Sequence, residues 1–226
     1  AAGFLLQREI DFFTQSISTP QRPLVAILGG AKVSTKLGAI RNMLDKVDIM
    51  IIGGAMANTF LKSQGHNIGQ SLVENDLRAT AKELLTLSEQ KGVSLLLPVD
   101  CVVAETFAPN ANIQNVSITT IPEGWMILDI GQETIGNFSA ALKGAKTIVW
   151  NGPMGAFEME AFANGSMQMV KAVTSSDALT IVGGGDTNVV INQAGAGEKI
   201  SYMSTGGGAF LMLMEGKELP GVVALK

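Results

Sequence analysis

Lys32 and Lys36 stand four residues apart where an apolar run breaks at glycine and a helical pattern begins. At that spacing both ammonium groups project from one helix face. Cations are disfavoured at the start of a helix, so a bound anion explains the pair better than bare solvent does; two solvated surface lysines are the plain alternative. Asp186 follows Gly183-Gly184-Gly185 at another strand-to-helix junction. An aspartate there can cap the helix, worth ~1 kcal/mol, or face a ligand. The glycines recur. Five short apolar runs end at Gly29-Gly30, Gly53-Gly54, Asn151-Gly152-Pro153, Gly183-Gly184-Gly185 and, through Thr205, Gly206-Gly207-Gly208. Glycine permits positive φ and close approach of a ligand to the main chain. The unpaired N–H groups that open the next helix attract phosphate. One such turn serves strand–helix packing equally well; five on one edge of one sheet describe a site for a polyanion.

These turns need a scaffold. Strand-like runs fall at Leu24–Leu28, Asp48–Ile52, Ser94–Pro98, Thr147–Trp150, Leu179–Val182 and Ile200–Ser204. Helical periodicity falls at Ser34–Asp45, Ala55–Gln64, Glu74–Lys91, Ile135–Lys143, Ala161–Ser175, Thr187–Ala194 and Gly208–Glu215, after an opening helix at Gly3–Ser16. Strand alternating with helix implies right-handed crossovers. The expected fold is α/β: a Rossmann-like open parallel sheet of about six strands with helices on both faces. Ligands bind such sheets beyond the carboxyl ends of the strands, where the glycines lie. Cys101–Pro122, rich in Thr, Asn and Val, breaks the alternation and reads as a small β excursion or long loop.

Composition narrows the ligand. Hydrophobic residues make up 46% of the 226 and charged ones 16%, and mean hydropathy is +0.29. A parallel sheet covered on both faces gives apolar strands without alternation, and a surface covered by a further part of a larger protein would add to it. A net charge of −4 argues against nucleic acid. No apolar run approaches the ~18 residues of a membrane span, and no signal-peptide pattern opens the chain. With a single cysteine, Cys101, a cytoplasmic location is the default. His66, the only histidine, has no second histidine or neighbouring cysteine with which to build a metal cluster or triad. No G-x-x-x-x-G-K-[ST] and no G-x-G-x-x-G occurs, which disfavours a Walker loop and a dinucleotide site of the usual type.

The motifs resemble those of the phosphoglycerate kinase family, in order and over essentially the whole chain. They are Gly29-Gly30-Ala31-Lys32-Val33-Ser34-Thr35-Lys36, Gly53-Gly54-Ala55-Met56-Ala57-Asn58-Thr59-Phe60-Leu61, Leu97-Pro98-Val99-Asp100 and Asp129-Ile130-Gly131. Trp150-Asn151-Gly152-Pro153-Met154-Gly155-Ala156-Phe157-Glu158, Gly183-Gly184-Gly185-Asp186-Thr187, Ser204-Thr205-Gly206-Gly207-Gly208-Ala209 and Glu215-Gly216-Lys217-Glu218-Leu219-Pro220-Gly221 complete the set. The resemblance implies the nucleotide-binding domain of that family over Ile17–Lys226, with Ala1–Ser16 the remnant of the helix joining two lobes. The other, N-terminal lobe, which in the family supplies a basic patch for 3-phosphoglycerate and a catalytic arginine, is expected as a missing partner. The tail returning to it is expected to be cut short at Lys226. The whole enzyme is expected to be a monomer.

The resemblance also assigns roles. Lys32 and Lys36 reach the nucleotide phosphates together with Gly30 and Ala31, and Lys36 reaches the phosphoryl group in flight. Gly184, Gly185, Asp186 and Thr187 on one helix start, and Gly208 on another, cradle that group. Asp186 takes the Mg²⁺ that accompanies ADP or ATP. Gly53, Gly54, Leu72, Asn151, Pro153 and Ala156 surround the nucleoside and phosphates, and Glu158 accepts from the ribose hydroxyls. Plainer readings stand beside these: Leu72 as core, Glu158 as a first-turn acid favoured by the helix dipole. Ala55, Gln132 and Tyr202 depart from the family pattern, touching the space near the base and the hinge. Two further functions remain open: a non-catalytic adenine-nucleotide-binding regulatory module, and a dehydrogenase domain that binds NAD in preference to ADP.

Overall fold

A computed structural model of the chain describes residues 12, 13, 15–204 and 206–217. Six strands form one all-parallel sheet: β1 (Leu24–Leu28), β2 (Ile49–Ile52), β3 (Ser94–Leu96), β7 (Thr147–Asn151), β8 (Leu179–Gly183) and β9 (Tyr202–Ser204), in the spatial order β3-β2-β1-β7-β8-β9. Every side chain of β1 and of β7 is buried, because helices cover both faces. On one face Leu24, Ala26 and Leu28 pack with α1 (Leu37–Leu44), α2 (Met56–Ser63), α3 (Arg78–Gln90) and α7 (Gly207–Met214). On the other, Val25 and Ile27 pack with α4 (Gln132–Leu142), α5 (Asn164–Thr174) and α6 (Gly185–Gln193). The period of two along a strand divides one apolar run between two cores.

The strand order reverses between β1 and β7, the switch point at which open α/β sheets leave a crevice. The loops leaving the strands there are laced together. Gly29 N donates to Asn151 O at 2.9 Å, Gly30 N to Pro153 O at 2.8 Å, and Gly54 N to Met154 O at 3.0 Å. Gly54 has φ +65°, and a Cβ on it would come within 2.6 Å of the Gly30 backbone. No other residue allows three loops to close on one another at this point.

The excursion after β3 is a three-stranded antiparallel sheet, β5-β4-β6, of β4 (Asp100–Ala104), β5 (Ile113–Ser117) and β6 (Met126–Ile130). Cys101–Pro122, expected as a small β excursion or long loop, holds β5 and all of β4 but its first residue; β6 lies beyond it, its Asp129-Ile130 pairing set by the distant Cys101-Val102 rather than by local alternation. Asp100 fastens this sheet to α4: its carboxylate accepts from Glu133 N at 3.0 Å and Thr134 N at 2.7 Å. Several elements are shorter than their patterns. The last strand begins at Tyr202, after a 3₁₀ turn at Gly197–Lys199, and Glu74–Lys91 divides into a 3₁₀ turn at Asn75–Leu77 followed by α3. Of the opening helix expected over Gly3–Ser16, residues 1–11 and 14 lie outside the described residues. Residues 12, 13 and 15–18 are helical; Phe13 meets Phe210 edge-on and Phe12 meets Tyr202, each with ring centroids 5.2 Å apart. Thr205 and the motif residues Glu218–Gly221 also lie outside them.

Candidate functional site

A cavity of about 470 Å³ opens at the carboxyl edge, between the switch-point loops and the small sheet. That is the size of a small-molecule site, and its walls are apolar with few polar groups. Eight of the residues singled out from sequence line it: Gly30, Ala31, Gly54, Leu72, Pro153, Ala156, Glu158 and Asp186. Leu72 is 51% exposed at the mouth, so it is not core. Glu158 is exposed and precedes a 3₁₀ turn at Glu160–Phe162, six residues before α5, so the helix dipole does not account for it.

The far wall was not legible from the glycine motifs. Met126, Leu128 and Asp129 of β6 contribute to it, and so do Cys101 and Phe107. Phe107 is 57% exposed, a large apolar ring held at a cavity rim. The signal that could have found it is an aromatic within a polar Thr/Asn-rich stretch, Glu105-Thr106-Phe107-Ala108. Cys101 is buried, with its thiol 3.7 Å from the Val116 carbonyl. Burial first, and then Asp100, push that thiol up to about 12; it is not a nucleophile.

Behind Gly30, which lines the cavity, lies Lys36, its ammonium 3.5 Å from where a Cβ on Gly30 would be. Its side chain is buried, and its ammonium donates to the Asn151 carbonyl at 2.9 Å. It makes no ion pair among the described residues. Burial pushes it down to about 8, against an upward pull from Asp186. Nearby, the Asn151 amide donates to Gly183 O at 2.7 Å, and Gly152 N donates to the Thr187 hydroxyl at 2.7 Å. Asn151 and Thr187 therefore lock the β7 and β8 turns together, rather than facing the cavity. Gly53 is packed against Met154, where a Cβ would overlap the thioether. Gly184 takes φ +106° as the N-cap of α6, so α6 starts one residue after β8.

The lysine pair does not share a helix face. Lys36 is itself the N-cap of α1, which begins at Leu37, three residues later than its pattern suggests. Lys32 lies in the preceding loop, exposed; its charge adds, after the hydrogen bonds from Ser34 and Val33, to the lowering of the Glu74 carboxyl. Asp186 is not the cap its position suggested either. It sits in the first turn of α6, exposed, and makes no side-chain cap hydrogen bond. Gly185 and Gly208 open α6 and α7 with nothing within 4 Å of where a Cβ would lie. The described residues hold no group of three or more His, Cys, Asp or Glu able to cage a metal. Magnesium carried on phosphates needs only one or two carboxylates and keeps waters, so an exposed, uncommitted Asp186 beside Lys36 fits that ion and not a protein-caged one.

Asp129 was quoted only as part of a motif, yet its carboxylate is the most buried acid in the cavity wall. It accepts from Gly165 N at 2.7 Å and from Ile130 N at 2.9 Å. A side chain on Gly155 or Gly165 would overlap it. Burial pushes its carboxyl up to about 7, against those two donors.

The family model described as Phosphoglycerate kinase matches residues 1–217. The phosphoglycerate kinases of Desulfotalea psychrophila and Geotalea uraniireducens are 59% and 58% identical over the whole chain, and the match covers 57% of each of them. Among solved structures, phosphoglycerate kinase from Coxiella burnetii superposes with a TM-score of 0.95 at 44% identity, over 98% of this chain and 58% of that one. The enzyme from Pyrococcus horikoshii gives 0.81 at 31% identity, over 99% and 56%. The chain thus spans somewhat over half the length of the relatives it matches. It belongs to the phosphoglycerate kinase family.

Proposed function

We propose that this chain is the nucleotide-binding half of an enzyme that moves a phosphoryl group reversibly between 1,3-bisphosphoglycerate and ADP, giving 3-phosphoglycerate and ATP. The single observation that supports this most is Lys36: a buried ammonium in no ion pair among the described residues, at the junction of the glycine turns and directly behind Gly30, which lines the apolar cavity. Adenine lies in that cavity against Phe107 and Leu128, with the ribose at Glu158. The phosphates run inward past Gly30 and Ala31 to Lys36. The main-chain N–H groups opening α6 and α7, at Gly185 and Gly208, receive the transferred group. Phosphoryl transfer asks for alignment and charge stabilisation more than covalent help, and this half supplies backbone dipoles and one desolvated cation. Asp186 would hold the Mg²⁺ that accompanies the nucleotide; when bound, that ion neutralises phosphate charge. Lys32, on the loop beside Glu74, adds long-range attraction.

A second half binds 3-phosphoglycerate and contributes an arginine. Closure of the two aligns the reactants and excludes water. Alone, this chain binds nucleotide and turns over negligibly, since such an arginine is worth ~10³–10⁵. The setting is cytoplasmic, where a lone buried thiol stays reduced. A dehydrogenase reading is disfavoured because β2 ends at Ile52-Gly53-Gly54, with no acid for a dinucleotide ribose. Calorimetry tests the reading: MgADP binds and NAD does not. Absence of MgADP affinity at millimolar concentration refutes it, and 3-phosphoglycerate-dependent ATP consumption by this chain alone refutes the need for a second half.

A further inference from the structure

The turns after β8 and β9 touch. A Cβ on Gly207 would lie 3.4 Å from Gly184 Cα and from Gly185 N. The side chain of Asn188, one helical turn into α6, joins them: its amide N–H donates at 2.8 Å to the carbonyl of Ser204, the last residue of β9. Its Oδ1 is buried and accepts from nothing, the one buried side-chain N or O atom without a partner among the described residues. An amide with a buried, unmet acceptor is a poor stabiliser, because the desolvation of that oxygen is uncompensated. The one hydrogen bond this side chain makes is thus partly offset by the oxygen it leaves unmet. What Asn188 does achieve is to fix the end of β9, and with it the start of α7, against the start of α6.

We infer that Asn188 is a positioning residue: it ties the two glycine turns together so that N–H groups from α6 and α7 converge on one phosphoryl group. This rests on the nucleotide reading above. It acts on the outermost phosphate, not on the nucleoside, which sits at the other end of the cavity beyond Gly30 and Ala31.

Asn188→Ala and Asn188→Asp, in the whole chain, test it. Asn188→Asp keeps the shape but sets a carboxylate against the Ser204 carbonyl in place of a donor. The expected result is a split by phosphate number. Affinity for the magnesium complex of a non-hydrolysable ATP analogue falls roughly three- to tenfold in Asn188→Ala and further in Asn188→Asp, whereas adenosine affinity does not change. Equal losses for adenosine and the triphosphate, or unchanged triphosphate affinity, overturn the inference. Amide hydrogen exchange at Gly206–Gly208 decides the tether separately: faster exchange in Asn188→Ala upholds it and equal rates overturn it, whether or not nucleotide binds. Failure of the unsubstituted chain to bind any of these nucleotides counts against the nucleotide reading alone.

Discussion

The two ends of the parallel sheet treat charge in opposite ways. At the amino end, around β1 and β2, two pairs of opposite charge form. Arg22 bridges Asp48 at 2.6 Å and donates to Lys46 O at 3.0 Å, and Lys91 pairs with Asp45. Asp48 also accepts from Leu24 N, fixing the entry to β1. At the carboxyl end Lys36, Lys32 and Asp186 make no ion pair among the described residues, and the backbone is glycine-lined and open. Exposed ion pairs contribute little, a median of ~0–1 kcal/mol, but they leave no field for a ligand. Unpaired charge beside helix N-termini carries a cost that a bound anion would offset. The difference marks the proposed binding edge more clearly than net charge does, since the whole chain carries −4.

The contrast can be broken most strongly at Asp129. Its folded value near 7 lies above the ordinary carboxylate value of 3.8. The stability it contributes is therefore complete below about pH 4 and is lost as pH rises through 7, on the order of 4 kcal/mol across that window. Urea midpoints of the native chain and Asp129→Asn, measured from pH 4 to 8, should show this slope in the native chain and a flatter line in the variant. Gly54→Ala should cost ~2–4 kcal/mol by the same measurement, from positive φ and backbone overlap. Nucleotide binding should fall with it, because the switch-point loops cannot close.

Lys36→Met sharpens the comparison. Losing one charged hydrogen-bond donor should weaken MgADP binding ~10- to 100-fold, whereas stability holds or rises as the burial of an ammonium is relieved. Lys36 titrates near 8, below the ordinary 10.5, so the native chain gains stability as pH rises from about 8 toward 10.5, and Lys36→Met does not. MgADP affinity should fall through the same window, with proton uptake on binding near pH 8 visible as a buffer-dependent calorimetric heat. Gly208→Ala, at an open helix start, should gain up to ~1 kcal/mol of stability, so a drop in its affinity for a triphosphate reports on the phosphoryl cradle and not on folding. The smallest change belongs to the opposite edge: Arg22→Ala should cost less than ~1 kcal/mol and leave MgADP affinity as it was.

Much of the fold could be read along the chain, because glycine clusters and apolar runs are local signals. Leu24–Leu28 reads as a strand from its five consecutive apolar residues, and β1 has the same bounds. Asp48–Ile52 and Thr147–Trp150 each shift by one residue at an end. Boundaries governed by distant partners were harder. β6 pairs with β4 across more than twenty residues, and α1 starts late because the Lys36 side chain is drawn inward to Asn151, 115 residues away.

The amino-acid sequence by itself determined the class of fold, the alternation of elements, the glycine edge and the family, since each rests on residue type and near-neighbour spacing. Only the tertiary structure decided which members of that edge meet. It separated Lys32 from Lys36, set Leu72 at the mouth of a cavity, and committed Asn151 and Thr187 to holding turns together. It also brought Phe107 and Asp129 from a different sheet into the wall. The reason is physical: hydrogen-bond partners and desolvation are set by groups far apart in the chain, and no local pattern encodes how two sheets pack around one empty space.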